Sequence, residues 1–174
     1  MAKTYNTIGT FVSGNILTAV QMNQIGTNSN NYRVPPSVRL YMASSSRANG
    51  DSNISWSGSP VQWDTESPSD PMWAGGAATR ITIRTAGIYL INAGVNWGAS
   101  ATGTLRTVNI LKNGAFNAGN GSPLNQFNGA QVTTTLVIAG AVGDYFEAQT
   151  GQNTGGALTA TELFFSATWI GQTS

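Results

Sequence analysis

The chain contains no cysteine and no histidine. Without cysteine there are no disulfides and no thiolate metal ligands, so redox chemistry says nothing about the compartment. Without histidine the chain lacks the commonest general base, the commonest zinc ligand and every Ser-His or Cys-His nucleophile pair. We therefore expect no cofactor and a non-enzymatic role.

Charge is also scarce. Only 9% of the 174 residues are charged and the formal net charge is +1, whereas ordinary soluble domains carry about 25% charged residues. The eight lysines and arginines are scattered, so they create no basic field that could neutralise phosphates. This pattern predicts that nucleic acid is not a partner.

Long apolar runs are missing as well. No stretch approaches the roughly 20 apolar residues that a membrane helix needs, and the first six residues lack the apolar centre of a secretory signal. We expect no membrane partner. Synthesis is expected in a cytoplasm, with exit from the cell by lysis or within a particle.

Short strands separated by tight turns are indicated from about residue 37 onward. Between residues 85 and 97 apolar side chains recur every second position, as on the buried face of a strand; they are Tyr89, Ile91, Ala93, Val95 and Trp97. Asn-Gly pairs, which tolerate the positive φ of tight turns, occur at 49–50, 113–114, 120–121 and 128–129. About eight to ten strands are expected, which predicts an all-β, antiparallel fold, either a sandwich or a jelly roll.

The first 36 residues differ from the rest. Thr18 and Gln21 have the spacing of a capping box, which predicts a helix from about Ala19 to about Tyr32. Val34-Pro35-Pro36 would end that helix and continue as an extended link. We divide the chain into an anchoring arm, 1–36, and a jelly-roll domain, 37–174; the predicted anchoring residues are Val20, Met22, Ile25 and Tyr32.

The last predicted strand is apolar on both sides. Its alternation places Phe164 and Ile170 on one face; on the other face lie Leu163, Phe165, Ala167 and Trp169. A single chain would leave bulky apolar area in water, and self-association would cover it. The alternative is that the N-terminal segment buries both sides of this strand within one chain.

Four motifs in order carry a family resemblance: Ala-Gly-Ile-Tyr-Leu at 86–90, Asn-Gly at 113–114, Gly-Asp-Tyr-Phe-Glu at 143–147, and the aromatic terminal strand. Together they resemble the trimeric jelly-roll superfamily of tumour necrosis factor and the complement globular heads. The resemblance implies a homotrimer. The predicted trimer-interface residues are Tyr89, Phe164, Trp169 and Ile170.

The resemblance is closest to the form of this domain in structural proteins of tailed bacteriophages. Trp-Asp-Thr-Glu at 63–66 and Gln-Asn-Thr-Gly-Gly at 152–156 are similar to segments of those proteins, and residues 12–23 are similar to their short leaders. It implies a homotrimer in the virion, made in the host cytoplasm. Two placements stay open: a capsid decoration protein contacting other virion proteins, or a minor tail or fibre-tip protein that binds a host glycan. A secreted carbohydrate-binding module is the third class.

Three carboxylates fall within one predicted loop, at Asp64, Glu66 and Asp70. Carboxylate oxygens are the ligands that Ca²⁺ prefers, so these residues are candidate metal ligands. The alternative is a solvated loop whose acids pair with Arg80 or Arg84. No pair of carboxylates with the spacing needed for glycoside cleavage can be identified.

Two tryptophans lie in predicted loops rich in glycine, serine and proline, at Trp56 and Trp73. Aromatic rings stack on sugar faces, so both are candidates for glycan contact. The alternative is a loop-anchoring or subunit contact, since buried tryptophan contributes a large apolar area to packing. Trp97 and Trp169 share strand faces with core residues and are expected to pack.

Overall fold

The computed structural model describes residues 16–57, 61–66, 71–123 and 129–173. Its one α-helix in these ranges, α1, spans Ala19–Arg33, and a short 3-10 helix spans Gly75–Ala77. Thr18 caps it: the Gln21 N–H donates to the Thr18 hydroxyl at 3.2 Å, and the Gln21 side-chain oxygen accepts from the Thr18 N–H at 2.9 Å. The predicted helix and its capping box are confirmed.

Strands in the described ranges form two antiparallel sheets. The strands are β1 (Ser37–Arg47), β2 (Gly50–Asn53), β3 (Val61–Asp64), β4 (Arg80–Thr82), β5 (Gly87–Trp97), β6 (Leu105–Lys112), β7 (Ala115–Pro123), β8 (Ala130–Gly140), β9 (Tyr145–Gln152) and β10 (Leu158–Gly171). The front sheet has the order β3-β1-β10-β5-β8, and the back sheet has the order β2-β9-β6-β7, with β4 also paired to β9. The predicted antiparallel jelly-roll sandwich is confirmed.

The core lies between the two sheets. Every second residue of β5, and of β10 from Leu163 onward, points into it, because successive side chains of a strand alternate between faces. The predicted alternation is confirmed on both strands: the buried residues are Tyr89, Ile91, Ala93, Val95 and Trp97 on β5, and Leu163, Phe165, Ala167 and Trp169 on β10.

Gly87 makes room for one of these core side chains. The Trp169 indole occupies the space where a Cβ atom of residue 87 would lie. The indole N–H donates to the Ala86 carbonyl at 3.2 Å. A side chain at position 87 would therefore displace Trp169 from the core.

Asn113 and Gly114 form the turn between β6 and β7. Their φ angles are 52° and 78°, the positive values that a tight hairpin turn requires at both central positions. The Asn-Gly pair at 120–121 was expected to be a turn, but it lies inside β7, paired with Val108 and Thr107 of β6. Strand pairing along β6 overrides the local turn preference at that pair.

Asp144 ties the β8–β9 turn to the β6–β7 turn. Its carboxylate accepts from the Asn113 side chain at 2.8 Å, from the Ala141 N–H at 2.9 Å, and from Lys112 Nζ at 2.8 Å. These contacts lower the pKa of Asp144 from 3.8 to about 2, with the Asn113 hydrogen bond as the largest cause. The residue acts as a structural link between turns.

This network predicts a specific acid dependence of stability. Because the folded-state pKa lies below the unfolded value, the ionised carboxylate stabilises the fold above about pH 4, by about 1 kcal/mol for a solvent-screened surface group. This contribution is lost as the pH falls through about 2. Asp144→Asn should be less stable than the parent at pH 7 and nearly equal to it at pH 2. Urea unfolding at both pH values measures the difference. Asp51→Asn on β2 removes an equal charge outside this network and is the control for the change in net charge.

Candidate functional site

One end of the outer face of the front sheet is apolar. Leu90 of β5 lies directly opposite Val137 of β8, and Ile88 and Ile170 lie beside this pair at the bulge between β5 and β10. Val137 is 57% exposed and Ile170 is 51% exposed. We call Ile88, Leu90, Val137 and Ile170 the apolar patch.

Two aromatic residues extend the apolar character along the same face. Tyr41 of β1 lies opposite Phe164 of β10. The Phe164 ring covers Gly94 of β5, where a Cβ atom would collide with it. The glycine thus lets an aromatic ring lie flat on the sheet surface, partly exposed.

The outer face of the back sheet is different. Asn53, Gln149 and Asn109 lie side by side on three strands. The Gln149 amide donates to Asn53 Oδ1 at 3.2 Å, and the Asn109 amide donates to Gln149 Oε1 at 3.3 Å. This row of amides makes the middle of the back sheet hydrophilic, although Leu105 on β6 and Phe116 on β7 are 44% and 67% exposed.

The structure divides the four predicted interface residues into two pairs. Phe164 and Ile170 lie on the outer face of the front sheet, where a neighbouring subunit could contact them. Tyr89 is fully buried and Trp169 is 2% exposed within the single chain, so their assignment to the interface is corrected. Both lie at core-facing positions of their strands, and the Tyr89 hydroxyl donates to the Thr85 carbonyl at 2.6 Å.

Leu90 and Val137 were not among the residues predicted from the sequence. The sequence does contain a pattern that indicates both residues. On β5, Ile88 and Leu90 are apolar at the positions between the core residues, and on β8, Val137 lies between the apolar Leu136 and Ile138. A strand that is apolar at both alternating sets is covered on both faces. Only the register shows that Leu90 and Val137 are neighbours.

The two tryptophans predicted as candidates for glycan contact both pack against the core. Trp56 is fully buried, and its ring stacks on Phe165 with centroids 6.1 Å apart. A buried ring presents no face to a sugar, so this assignment is corrected. Trp73 is partly buried against the core, and a glycan contact there stays a prediction.

The candidate metal ligands have other partners in the structure. Asp64 accepts from the N–H groups of Glu66 at 3.0 Å and Trp73 at 3.3 Å. Glu66 is buried and accepts from the Thr85 hydroxyl at 2.8 Å. Asp70 lies outside the described residues, and within the described ranges no three acidic residues are grouped for a metal ion.

The anchoring arm is attached to the domain at its C-terminal end. The Tyr32 ring lies 5.4 Å from the Trp169 ring, and the Pro36 carbonyl accepts from the Trp169 N–H at 2.8 Å. Further along α1, Val20 is 65% exposed, Met22 is 54% exposed and Ile25 is partly buried. The helix therefore presents apolar side chains that the described part of the domain does not cover.

The two packed antiparallel sheets form a jelly roll, and several solved structures share this fold. Among solved structures, the globular domain of zebrafish complement 1qA protein is similar with a TM-score of 0.59 and 10% identity, over 79% of this chain and 99% of that one. The Eiger tumour necrosis factor of S. frugiperda has a TM-score of 0.54 and 11% identity, over 80% and 96%.

A viral protein shares the fold as well. The PRD1 vertex protein P5 has a TM-score of 0.50 and 19% identity, over 77% of this chain and 72% of that one. At these identities the similarity establishes the fold alone. No family model matches the sequence, and the search of curated proteins found no match.

Membrane insertion through a helix finds no support in the described ranges. α1 is too short and too polar there to cross a bilayer.

Proposed function

We propose that this chain is a non-enzymatic structural protein of a bacteriophage virion, that it assembles as a homotrimer, and that it decorates and stabilises the capsid. The observation that carries the proposal is the apolar character of the front sheet's outer face, in contrast to the middle of the back sheet. The front sheet exposes the apolar patch with Tyr41 and Phe164, whereas the back sheet carries a row of amides on β2, β9 and β6, with the exposed Leu105 and Phe116 on β6 and β7.

Association through the front sheet follows from this contrast. Burying a Val, Leu or Ile side chain contributes about 1.5–3 kcal/mol when it was fully exposed before, and the patch residues are only part-exposed. Association costs about 4–15 kcal/mol in lost freedom. The patch alone therefore reaches only the lower part of that cost, and we infer that the whole front face, including its polar centre, takes part. The family resemblance implies three copies around an axis.

Placement in a virion is supported by three observations. The sequence motifs resemble those of tailed-phage structural proteins, a phage vertex protein shares the fold, and α1 exposes Val20 and Met22. An isolated helix of this length is marginal in water and gains stability by burying itself on a partner. We propose that α1 anchors the trimer on other virion proteins such as the major capsid protein.

The assembly state is tested by light scattering of the purified full chain at low concentration. We expect a mass three times the 18.2 kDa of one chain. A species with the mass of one chain would contradict the trimer.

Placement is tested by electron microscopy and heat challenge of virions assembled without this protein. We expect heads that lack a surface density and break more readily. Robust heads that fail to adsorb to cells would instead support the alternative, a tail or fibre-tip protein that binds a host glycan.

A further inference from the structure

A row of polar side chains crosses the centre of the front sheet's outer face. Arg39 of β1 lies opposite Ser166 of β10, Ser166 lies opposite Asn92 of β5, and Asn92 lies opposite Thr135 of β8. Four strands thus contribute one residue each at the same level of the sheet. We call Arg39, Ser166, Asn92 and Thr135 the polar row.

The polar row lines a cavity of about 380 Å³. Serine, asparagine and threonine have short side chains, and the polar row lies between Leu90 on one side and Phe164 on the other. The sheet surface is therefore recessed at this row. The volume is sufficient for a tetrahedral oxyanion and several waters, since one water occupies about 30 Å³ in the liquid.

Three groups of the cavity are hydrogen-bond donors without an acceptor among the described residues. The Arg39 guanidinium and the Ser166 hydroxyl form no side-chain hydrogen bond or ion pair there. The Asn92 oxygen accepts from the Thr135 hydroxyl at 2.8 Å, which leaves the Asn92 NH₂ group free to donate. The donors belong to different strands, so the sheet itself holds them in place.

The cavity has no negative charge of its own. Its lining consists of the polar row with Ala93, Thr133, Thr134 and Phe164, none of which is acidic. Guanidinium groups bind oxyanions through two parallel, charge-assisted hydrogen bonds. Hydroxyl and amide donors beside the guanidinium complete the set that an oxyanion needs.

We propose that this cavity is an oxyanion site for a phosphate or sulfate group, bound by Arg39 with Ser166 and Asn92. The site is complete within one chain and does not require the trimer. In the trimer of the proposed function, the bound anion would neutralise a guanidinium that the interface would otherwise bury without a counter-charge, at a high cost in free energy.

Inorganic phosphate is the probe. The full chain is freed of phosphate, and its melting temperature is followed as phosphate replaces chloride at constant ionic strength, with bound phosphorus and mass determined on the same samples. We expect a saturable rise in melting temperature, as for any ligand that binds only the folded state. Arg39→Gln should need at least about tenfold more phosphate, and Ser166→Ala a smaller excess, since a hydrogen bond to a charged group is worth more than a neutral one.

Arg80→Gln is the matched control, because it removes an equal charge from the back sheet, where Arg80 contacts Glu147. It should respond to phosphate as the parent does. Equal responses of the parent and Arg39→Gln would overturn the site, because they would reflect a general salt effect.

The anionic group could also come from a neighbouring copy. The candidate source is Glu162, an exposed residue of β10 whose carboxylate accepts from the Asn96 side chain. Loss of the trimer mass in both Arg39→Gln and Glu162→Gln, with no phosphate response and no bound phosphorus in the parent, would show that the Glu162 carboxylate of another copy fills the cavity. That result would overturn the oxyanion site. A single-chain mass with an Arg39-dependent phosphate response would support the site and contradict the trimer. The two proposals therefore fail separately.

Discussion

Val137→Lys should convert the protein from three associated chains to a single folded chain. Val137 is 57% exposed in the isolated chain, so a lysine there can extend into water and leave the fold intact. In the trimer the same lysine would be enclosed among Ile88, Leu90 and their counterparts from other copies. Burying an unpaired ammonium group costs several kcal/mol, which exceeds the net free energy expected of a moderate interface.

Light scattering for mass and circular dichroism for fold measure this outcome together. Val142→Lys is the matched control, because Val142 is 66% exposed in the turn between β8 and β9, away from the front face. It should remain a trimer. If both variants keep the parent's mass, the apolar patch is not the interface.

Trp56→Ala should destabilise the fold by about 3–5 kcal/mol, the range for truncating a buried large aromatic residue. The side chain is fully buried and stacks on Phe165, so its removal leaves a cavity between the sheets. For a domain whose total stability is about 5–15 kcal/mol, this is a large fraction. Urea unfolding of the parent and the variant measures it.

Trp56→Phe is the informative companion. The Trp56 indole N–H has no hydrogen-bond partner among the described residues, so phenylalanine loses no hydrogen bond and keeps the stack on Phe165. We expect a loss well below that of alanine. If Trp56→Ala were as stable as the parent but lost binding to a glycan, the core assignment of Trp56 would be wrong.

Much of the fold was predictable because its signals are local. The capping box at Thr18 and Gln21 defines the start of α1, and Pro35 prevents the helix from continuing. The two-residue period of β5 separates core positions from outer positions without knowledge of any partner strand. The Asn113-Gly114 turn was predictable for the same reason, since positive φ at two adjacent residues is a property of those residues.

The errors have a common origin in distant contacts. The Asn-Gly pair at 120–121 is paired as strand because β6 continues opposite it. Trp56 lies in a segment of turn-forming residues, yet its ring stacks on Phe165, which lies more than a hundred positions later in the chain. Local composition contains no information about such partners.

The candidate site shows the same division. Periodicity alone identified Phe164 and Ile170 as outward-facing residues of an apolar strand. It could not place Leu90 beside Val137, or align Arg39, Ser166 and Asn92, because register between strands depends on the whole path of the chain. Composition alone ruled out histidine and cysteine chemistry.

The amino-acid sequence by itself determined that this chain forms a two-layer antiparallel β sandwich with a capped helix before it, because backbone preferences and side-chain alternation act between near neighbours. The tertiary structure decided which apolar side chains remain outside and which polar ones meet around a cavity, because both depend on strands that are far apart in the chain and adjacent only after folding.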